Sequence, residues 1–277
     1  MHHRGAKDGV PLWGCDCGSL NAEVAPADLP RYSESYSGAS FAPHPAVRQS
    51  LAETISSLAP YRQLGRWADL GFGEGALLSE AQAQGWSCAG TEISHAALEF
   101  GRSRQWEVRT SSQEWPTESF DVVSVLEVLE HVLAPEDLLR EASRLLRPGG
   151  ALVATTPNIE SLNFRMLGIG WTVVAPPEHV TLFSLEGLGR LTRRIPLEVL
   201  SLRTSGLNPI EMMHRHRRGA AITAAQRNAR AQHLMDATSM GQGRLIRRLL
   251  NSALDFLHAG DSLKLLAVKP GPGWELR

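Results

Sequence analysis

The chain has 277 residues, 43% of them apolar and 21% charged, with a formal net charge of −1. It can bury a sizeable core and is too apolar for a disordered or fibrous protein. No run nears the ~18 apolar residues of a membrane span, and the start, Met1-His2-His3-Arg4-Gly5, lacks the apolar stretch of a secretory signal. Three cysteines, Cys15, Cys17 and Cys88, are too few for a disulfide framework, and Cys15-Asp16-Cys17 offers only two of the four ligands of a structural zinc, so a reducing, cytoplasmic setting is expected.

Residues 1–45 carry Pro11, Pro26, Pro30, Pro43 and Pro45 without a sustained period and are expected to form an irregular arm ahead of one large domain, 46–277. Val47, Leu51, Ile55 and Leu58 then mark one face of a helix that ends at Pro60. Strand-like and helix-like stretches alternate from there: strand Trp67–Leu70, helix Ala76–Ala83, strand Ser87–Ile93, and a helix capped by Ser94 and running through Phe100. Strands Trp106–Arg109 and Phe120–Leu126 follow, then helix Pro135–Leu146 and strand Ala151–Thr155. Strands joined by helical stretches predict right-handed crossovers, hence a doubly wound, mostly parallel α/β sheet.

Beyond Pro157 we expect a long acceptor-side loop, 158–184, a helix near Leu185–Arg194, and a strand at Leu197–Arg203. A basic helical insertion, 206–258, precedes a last strand at Leu263–Val268, which brings the sheet to seven strands. Within the insertion, Leu245, Ile246, Leu249, Leu250, Ala253, Leu254 and Leu257 form one apolar stripe. Residues 190–250 hold twelve Arg against Glu198, Glu211 and Asp236. A solvated insertion is the favoured reading, ahead of a patch for an anionic or carrier-bound acceptor and of membrane-surface contact through 244–257. Few aromatics lie there, which argues against nucleic acid. His214 and His216 sit among arginines on this solvated face.

Asp69-Leu70-Gly71-Phe72-Gly73-Glu74-Gly75 stands between a strand and a helix, where bare backbone and a positive helix end suit a nucleotide-type cofactor. Glu92, 21 residues after Gly71 at the end of the next strand, can accept bonds from both ribose hydroxyls. These two features fit a nicotinamide dinucleotide as well, so an oxidoreductase stands beside other readings, as does an accessory protein that binds a cofactor without turnover.

The run Asp69 to Gly75 resembles the cofactor loop of class I S-adenosylmethionine-dependent methyltransferases. Phe120-Asp121-Val122-Val123 with Leu129-Glu130-His131-Val132, and Arg147-Pro148-Gly149-Gly150 before a strand ending in Thr156-Pro157-Asn158, resemble their later motifs in order and spacing. Leu129 to Val132, Pro176-Pro177-Glu178-His179-Val180 and Phe183-Ser184 are similar to the group with ubiquinone-biosynthesis O-methyltransferases and methyltransferases of natural-product and polysaccharide pathways. The resemblance covers about residues 46 to 205. It implies S-adenosylmethionine as cofactor, a small-molecule acceptor, O-methylation before N or C, and a cofactor site of Asp69, Gly71, Phe72, Gly73, Gly75, Glu92, Ile93, Ser112, Leu126, Glu127 and His131. Phe72 stands where Cys is frequent, which a backbone contact tolerates, and Ser111 to Pro116 lacks the Asp that many relatives place beside adenine.

In-line methyl transfer from a good leaving group rests on positioning and requires no metal. His131 and His179 are the candidate bases, since imidazole takes a proton near neutral pH. A capping role for His131 is equally open, and His179 is expected in the loop walling the acceptor pocket.

Overall fold

The computed structural model describes residues 1–29, 45–209 and 242–271. In chain order the elements are β1 (His2–Lys7), β2 (Val10–Gly14), β3 (Leu20–Ala22), α1 (Pro45–Ser57), β4 (Arg66–Leu70), α2 (Ala76–Ala83), β5 (Ser87–Thr91), α3 (His95–Ser103), β6 (Glu107–Arg109) and β7 (Phe120–Leu126). They continue with α4 (Pro135–Leu145), β8 (Leu146–Pro157), α5 (Leu162–Leu167), β9 (Thr181–Leu182), α6 (Leu185–Thr192), β10 (Glu198–Ser205), α7 (Gln242–Phe256) and β11 (Ser262–Val268).

The expected seven-stranded sheet forms, in the spatial order β10-β11-β8-β7-β4-β5-β6. β4 pairs in parallel with both β5 and β7, β5 with β6 and β7 with β8, whereas β11 runs antiparallel to β8 and to β10. The chain leaves β4 toward β5 on one side and returns to β7 on the other, so the crevice between the carboxyl ends of β4 and β7 is the topological switch point, where open α/β sheets bind ligands. Two apolar layers sandwich the sheet. One gathers Val123, Leu139, Leu145, Leu152 and Leu188, the other Ile55, Trp67, Phe72, Leu78 and Trp106.

Residues 2–22 correct the expectation of an irregular arm. β1, β2 and β3 form an antiparallel sheet that β9 completes, in the order β1-β2-β3-β9. The turn between β1 and β2 is Asp8-Gly9, with φ of +50° and +82°, the mirror-type geometry whose twist matches a hairpin. Five scattered prolines hid that dipeptide in the sequence. Leu12 and Leu20 are buried against Ile159, Trp171, Val174 and Leu182, so this small sheet has its own apolar core.

The stretch 158–184 is likewise more ordered than a loop. Ser161 caps α5 by accepting from the Phe164 amide at 3.1 Å, and β9 pairs with β3. In the basic insertion, α7 forms, but of its expected apolar stripe Leu254 is buried while Leu249, Leu250 and the following Leu257 are exposed. Residues 210–241 of the insertion, with His214 and His216, and residues 30–44 of the arm lie outside the described residues. No helix among the described residues is long and apolar enough to cross a membrane.

Candidate active site

The turn from Gly71 to Gly75 joins β4 to α2 at the switch point. Gly71, Gly73 and Gly75 have φ of +80°, +51° and +72°, a region where a side chain is strained. The Gly71 and Phe72 amides both donate to the carbonyl of Thr91, at 2.9 and 3.1 Å, which ties the turn to the end of β5. A Cβ on Gly71 would stand 2.7 Å from Val128, so this backbone lies directly against the turn that follows β7.

Glu92 is buried beneath that turn. One carboxylate oxygen accepts from the Gly73 amide at 2.9 Å, and the other from the amides of Ile93 at 2.7 Å and Ser94 at 3.2 Å. These bonds aim the carboxylate while leaving lone pairs for further donors. Ile93 is 53% exposed at the rim, and Leu126 ends β7 half-buried across the crevice. Asp69 lies under the glycines and accepts from the Ser124 hydroxyl at 2.7 Å, which in turn accepts from Trp67 Nε1 at 2.9 Å. Burial pushes the Asp69 carboxyl up to about 7, Ser124 opposes this, and Glu92 adds to it. Asp69 therefore supports the turn from below.

Phe72, expected to serve through its backbone, turns its side chain into the core. It meets Trp106 edge to face at 5.9 Å. Gly90 makes room for the ring, because a Cβ there would lie 2.5 Å from Phe72 Cδ1. Ser112 has its hydroxyl 2.6 Å from Glu141, and its carbonyl accepts from Arg144. Its side chain is thus tied to α4, which leaves only its backbone for an adenine contact.

The second half of the site was only partly visible in the sequence. Glu127 takes φ of +54° immediately after β7, and His131 ends a short helical turn at 129–131. His131 Nδ1 lies 2.9 Å from the carbonyl of Glu178, and His179 Nδ1 lies 2.6 Å from that of Val173. A carbonyl only accepts, so both Nδ1 atoms donate a proton, and a ring in its neutral form keeps its lone pair on Nε2. The two rings meet edge to face with centroids 4.6 Å apart. Burial, reinforced by His179, holds the His131 pKa below its ordinary value, so that imidazole is neutral at neutral pH.

Glu130, not singled out beforehand as a site residue, lies at the bottom of this cluster. It is 1% exposed, accepts from the Thr156 hydroxyl at 2.8 Å, and has its other oxygen 3.8 Å from His131 Nε2. Burial, with Glu127 adding to it, pushes its carboxyl up to about 8. Glu127 is open to solvent, yet the protein packed around its carboxyl still raises its pKa, against a hydrogen bond from Thr155 and the charges of His179 and Lys264. The structure therefore groups Glu127 with Glu130 and His179. One ligand atom each from Glu130, His131 and His179 lies within 4.8 Å of the others, a set that could hold a cation and that the metal-free sequence reading did not foresee. The short spacing of Glu127, Glu130 and His131 in one turn was the available signal.

The small sheet braces the segment that carries His179. The Ala22 amide donates to Val180, whose own amide donates to the Glu130 carbonyl at 2.7 Å. The Ser184 amide donates to the buried Ser19 hydroxyl at 3.1 Å, and Lys7 Nζ donates to the Trp171 carbonyl at 2.8 Å. The segment carrying His179 is thereby fastened at both ends.

Residues 45–202 match the family model of a methyltransferase domain. The chain is similar to the ubiquinone biosynthesis O-methyltransferase of Idiomarina loihiensis, with 31% identity over 52% of this chain and 65% of that protein. It is also similar to the protein of the same name from Paracidovorax citrulli, with 28% identity over 69% of this chain and 90% of that protein. The chain thus spans just under two thirds of the first relative's length. Among solved structures, the geranyl diphosphate C-methyltransferase of Streptomyces coelicolor superposes with a TM-score of 0.53 at 16% identity, covering 80% of this chain and 77% of that one, a likeness of fold.

Proposed function

The chain belongs to the methyltransferase domain family, with S-adenosylmethionine as its methyl donor, and from that premise we propose that it methylates a hydroxyl oxygen of a small-molecule acceptor in a biosynthetic pathway. The observation that carries this reading is the pair of imidazoles that face each other with their Nδ1 protons fixed on backbone carbonyls. The name shared by the two relatives supports oxygen as the acceptor atom. A cytoplasmic setting, in keeping with three free thiols, belongs to the same proposal.

When bound, the donor supplies an electrophilic methyl group on a sulfonium. The residues that fit it are those of the switch point: Gly71, Gly73 and Gly75 offer bare backbone in the turn after β4, and Glu92 offers an aimed acceptor for ribose hydroxyls. Gly71, Gly73, Gly75, Glu92, Ile93 and Leu126 would hold it.

The acceptor hydroxyl is placed at the imidazole pair, where His179 or His131 takes its proton as oxygen attacks. The Glu130 carboxyl lies 3.8 Å from His131 Nε2, beside the nitrogen that takes the proton. The small sheet holds the segment that carries His179 in place, so positioning supplies much of the rate. Turnover with a carbon-13-methyl donor over a panel of phenols and alcohols tests the proposal. A methoxy resonance in the product supports it, whereas an N-methyl or C-methyl resonance overturns the choice of oxygen.

The clustering of Glu130, His131 and His179 favours a second reading, in which a divalent cation binds there and polarises the hydroxyl. Activity lost on chelation and regained with magnesium or zinc supports the cation; activity indifferent to chelation supports the metal-free base.

A further inference from the structure

The turn between β2 and β3 holds two free cysteines one residue apart, Cys15 and Cys17. The Cys15 amide donates to the Ser19 carbonyl at 2.8 Å and the Gly18 amide to the Cys15 carbonyl at 2.9 Å, which folds Cys15-Asp16-Cys17-Gly18 tightly on itself. Within it the Cys17 amide lies 3.4 Å from Cys15 Sγ, which sets the two side chains next to each other in one turn. Both cysteines are partly exposed, whereas Cys88 is buried, with burial pushing its thiol up to about 12.

The two thiols are not equivalent. Burial alone would raise Cys17, but hydrogen bonds from Cys15 and Ser19 outweigh it and hold the thiol below its ordinary value. The hydrogen bond to Cys17 instead raises Cys15. Cys17 Sγ also sits 3.3 Å from where a Cβ on Gly187 would stand, in the first turn of α6. A helix N-terminus favours thiolate.

We propose that Cys15 and Cys17 form a peroxide-reactive dithiol, with Cys17 as the attacking thiolate and Cys15 as the resolving thiol. In the first step a Cys17 S–O bond forms as the peroxide O–O bond breaks, giving a sulfenic acid and releasing an alkoxide or hydroxide that takes up a proton. In the second, the Cys15 sulfur attacks Cys17, the S–S bond forms, the S–O bond breaks, and water leaves with the Cys15 proton. Two thiols lose two electrons, and the hydroperoxide is reduced to an alcohol, or for hydrogen peroxide to water. The Cys17 carbonyl accepts from the Ser184 hydroxyl, so closing this ring acts on the residue that follows the acceptor-side strand β9.

The experiment treats the full-length protein with stoichiometric hydrogen peroxide, alkylates remaining thiols, and reads each cysteine by peptide mass spectrometry, independently of methyl transfer. The expected result is a loss of two mass units on the peptide holding Cys15 and Cys17, with Cys88 still reduced. Cys15→Ser is expected to accumulate a dimedone-trappable sulfenic acid at Cys17, and Cys17→Ser to react at least tenfold more slowly than wild type. Continued alkylation of both turn thiols, oxidation of Cys88 at an equal rate, or a disulfide-linked dimer overturns the proposal.

Discussion

The imidazoles of His131 and His179 approach within 4.6 Å although 48 residues separate them in the chain, and each fixes its Nδ1 on a backbone carbonyl of the segment 173–178. Replacing His179 with Ala is expected to lower turnover by about 10²- to 10⁴-fold with little change in cofactor affinity. The same pattern is expected for His131→Ala, because its ring faces His179 and Glu178. Steady-state turnover and a calorimetric titration of each mutant check this; full turnover in both removes the pair from catalysis.

The acidity of His131 sets a pH limit. Burial holds its pKa below the ordinary 6.5, so the neutral base persists into mildly acidic solution. The acid limb of the profile of kcat/KM is expected below pH 6.5, and His131→Ala should displace it. A limb above pH 7 would contradict the assignment.

Buried carboxyls make the fold itself sensitive to pH in the opposite sense to an ordinary ion pair. Glu130 is raised from 4.5 to about 8 and Asp69 from 3.8 to about 7. The folded values lie above the unfolded ones, so this stability is complete below about pH 4 and is lost as pH rises through 7 to 8. Glu130→Gln removes one of the two groups and should flatten the fall of Tm between pH 5 and 9. Each kcal/mol corresponds to roughly 2 to 4 °C in a domain of this size. Parallel slopes for mutant and wild type would count against a proton held on Glu130.

Glu92→Ala should weaken binding of S-adenosylhomocysteine by roughly 1.5 to 3 kcal/mol, the size of hydrogen bonds to a charged group. It also frees the Gly73, Ile93 and Ser94 amides, so some loss of Tm is expected with it. An unchanged dissociation constant in a folded mutant removes Glu92 from the site.

The sequence carried the sheet because its signals are local: apolar runs at β4, β7 and β8, a glycine turn after β4, and Ser94, whose hydroxyl does accept from Ala97 as a helix cap. The small sheet was missed for the opposite reason, since its strands are two to six residues long and its stability comes from contact with Trp171 and Leu182, some 160 residues away. Phe72 was placed at the cofactor through its neighbours in the motif. Only the structure reveals that Gly90 leaves the space its ring occupies. Glu130 was hidden among ordinary turn residues because burial, which sequence does not state, is what raises its carboxyl.

A calorimetric titration of the purified chain with S-adenosylhomocysteine and, separately, with NADH tests the central claim most directly, since it needs no knowledge of the acceptor. The methyltransferase family match over residues 45–202 predicts micromolar binding of S-adenosylhomocysteine and none of NADH. Micromolar binding of NADH without S-adenosylhomocysteine would contradict it.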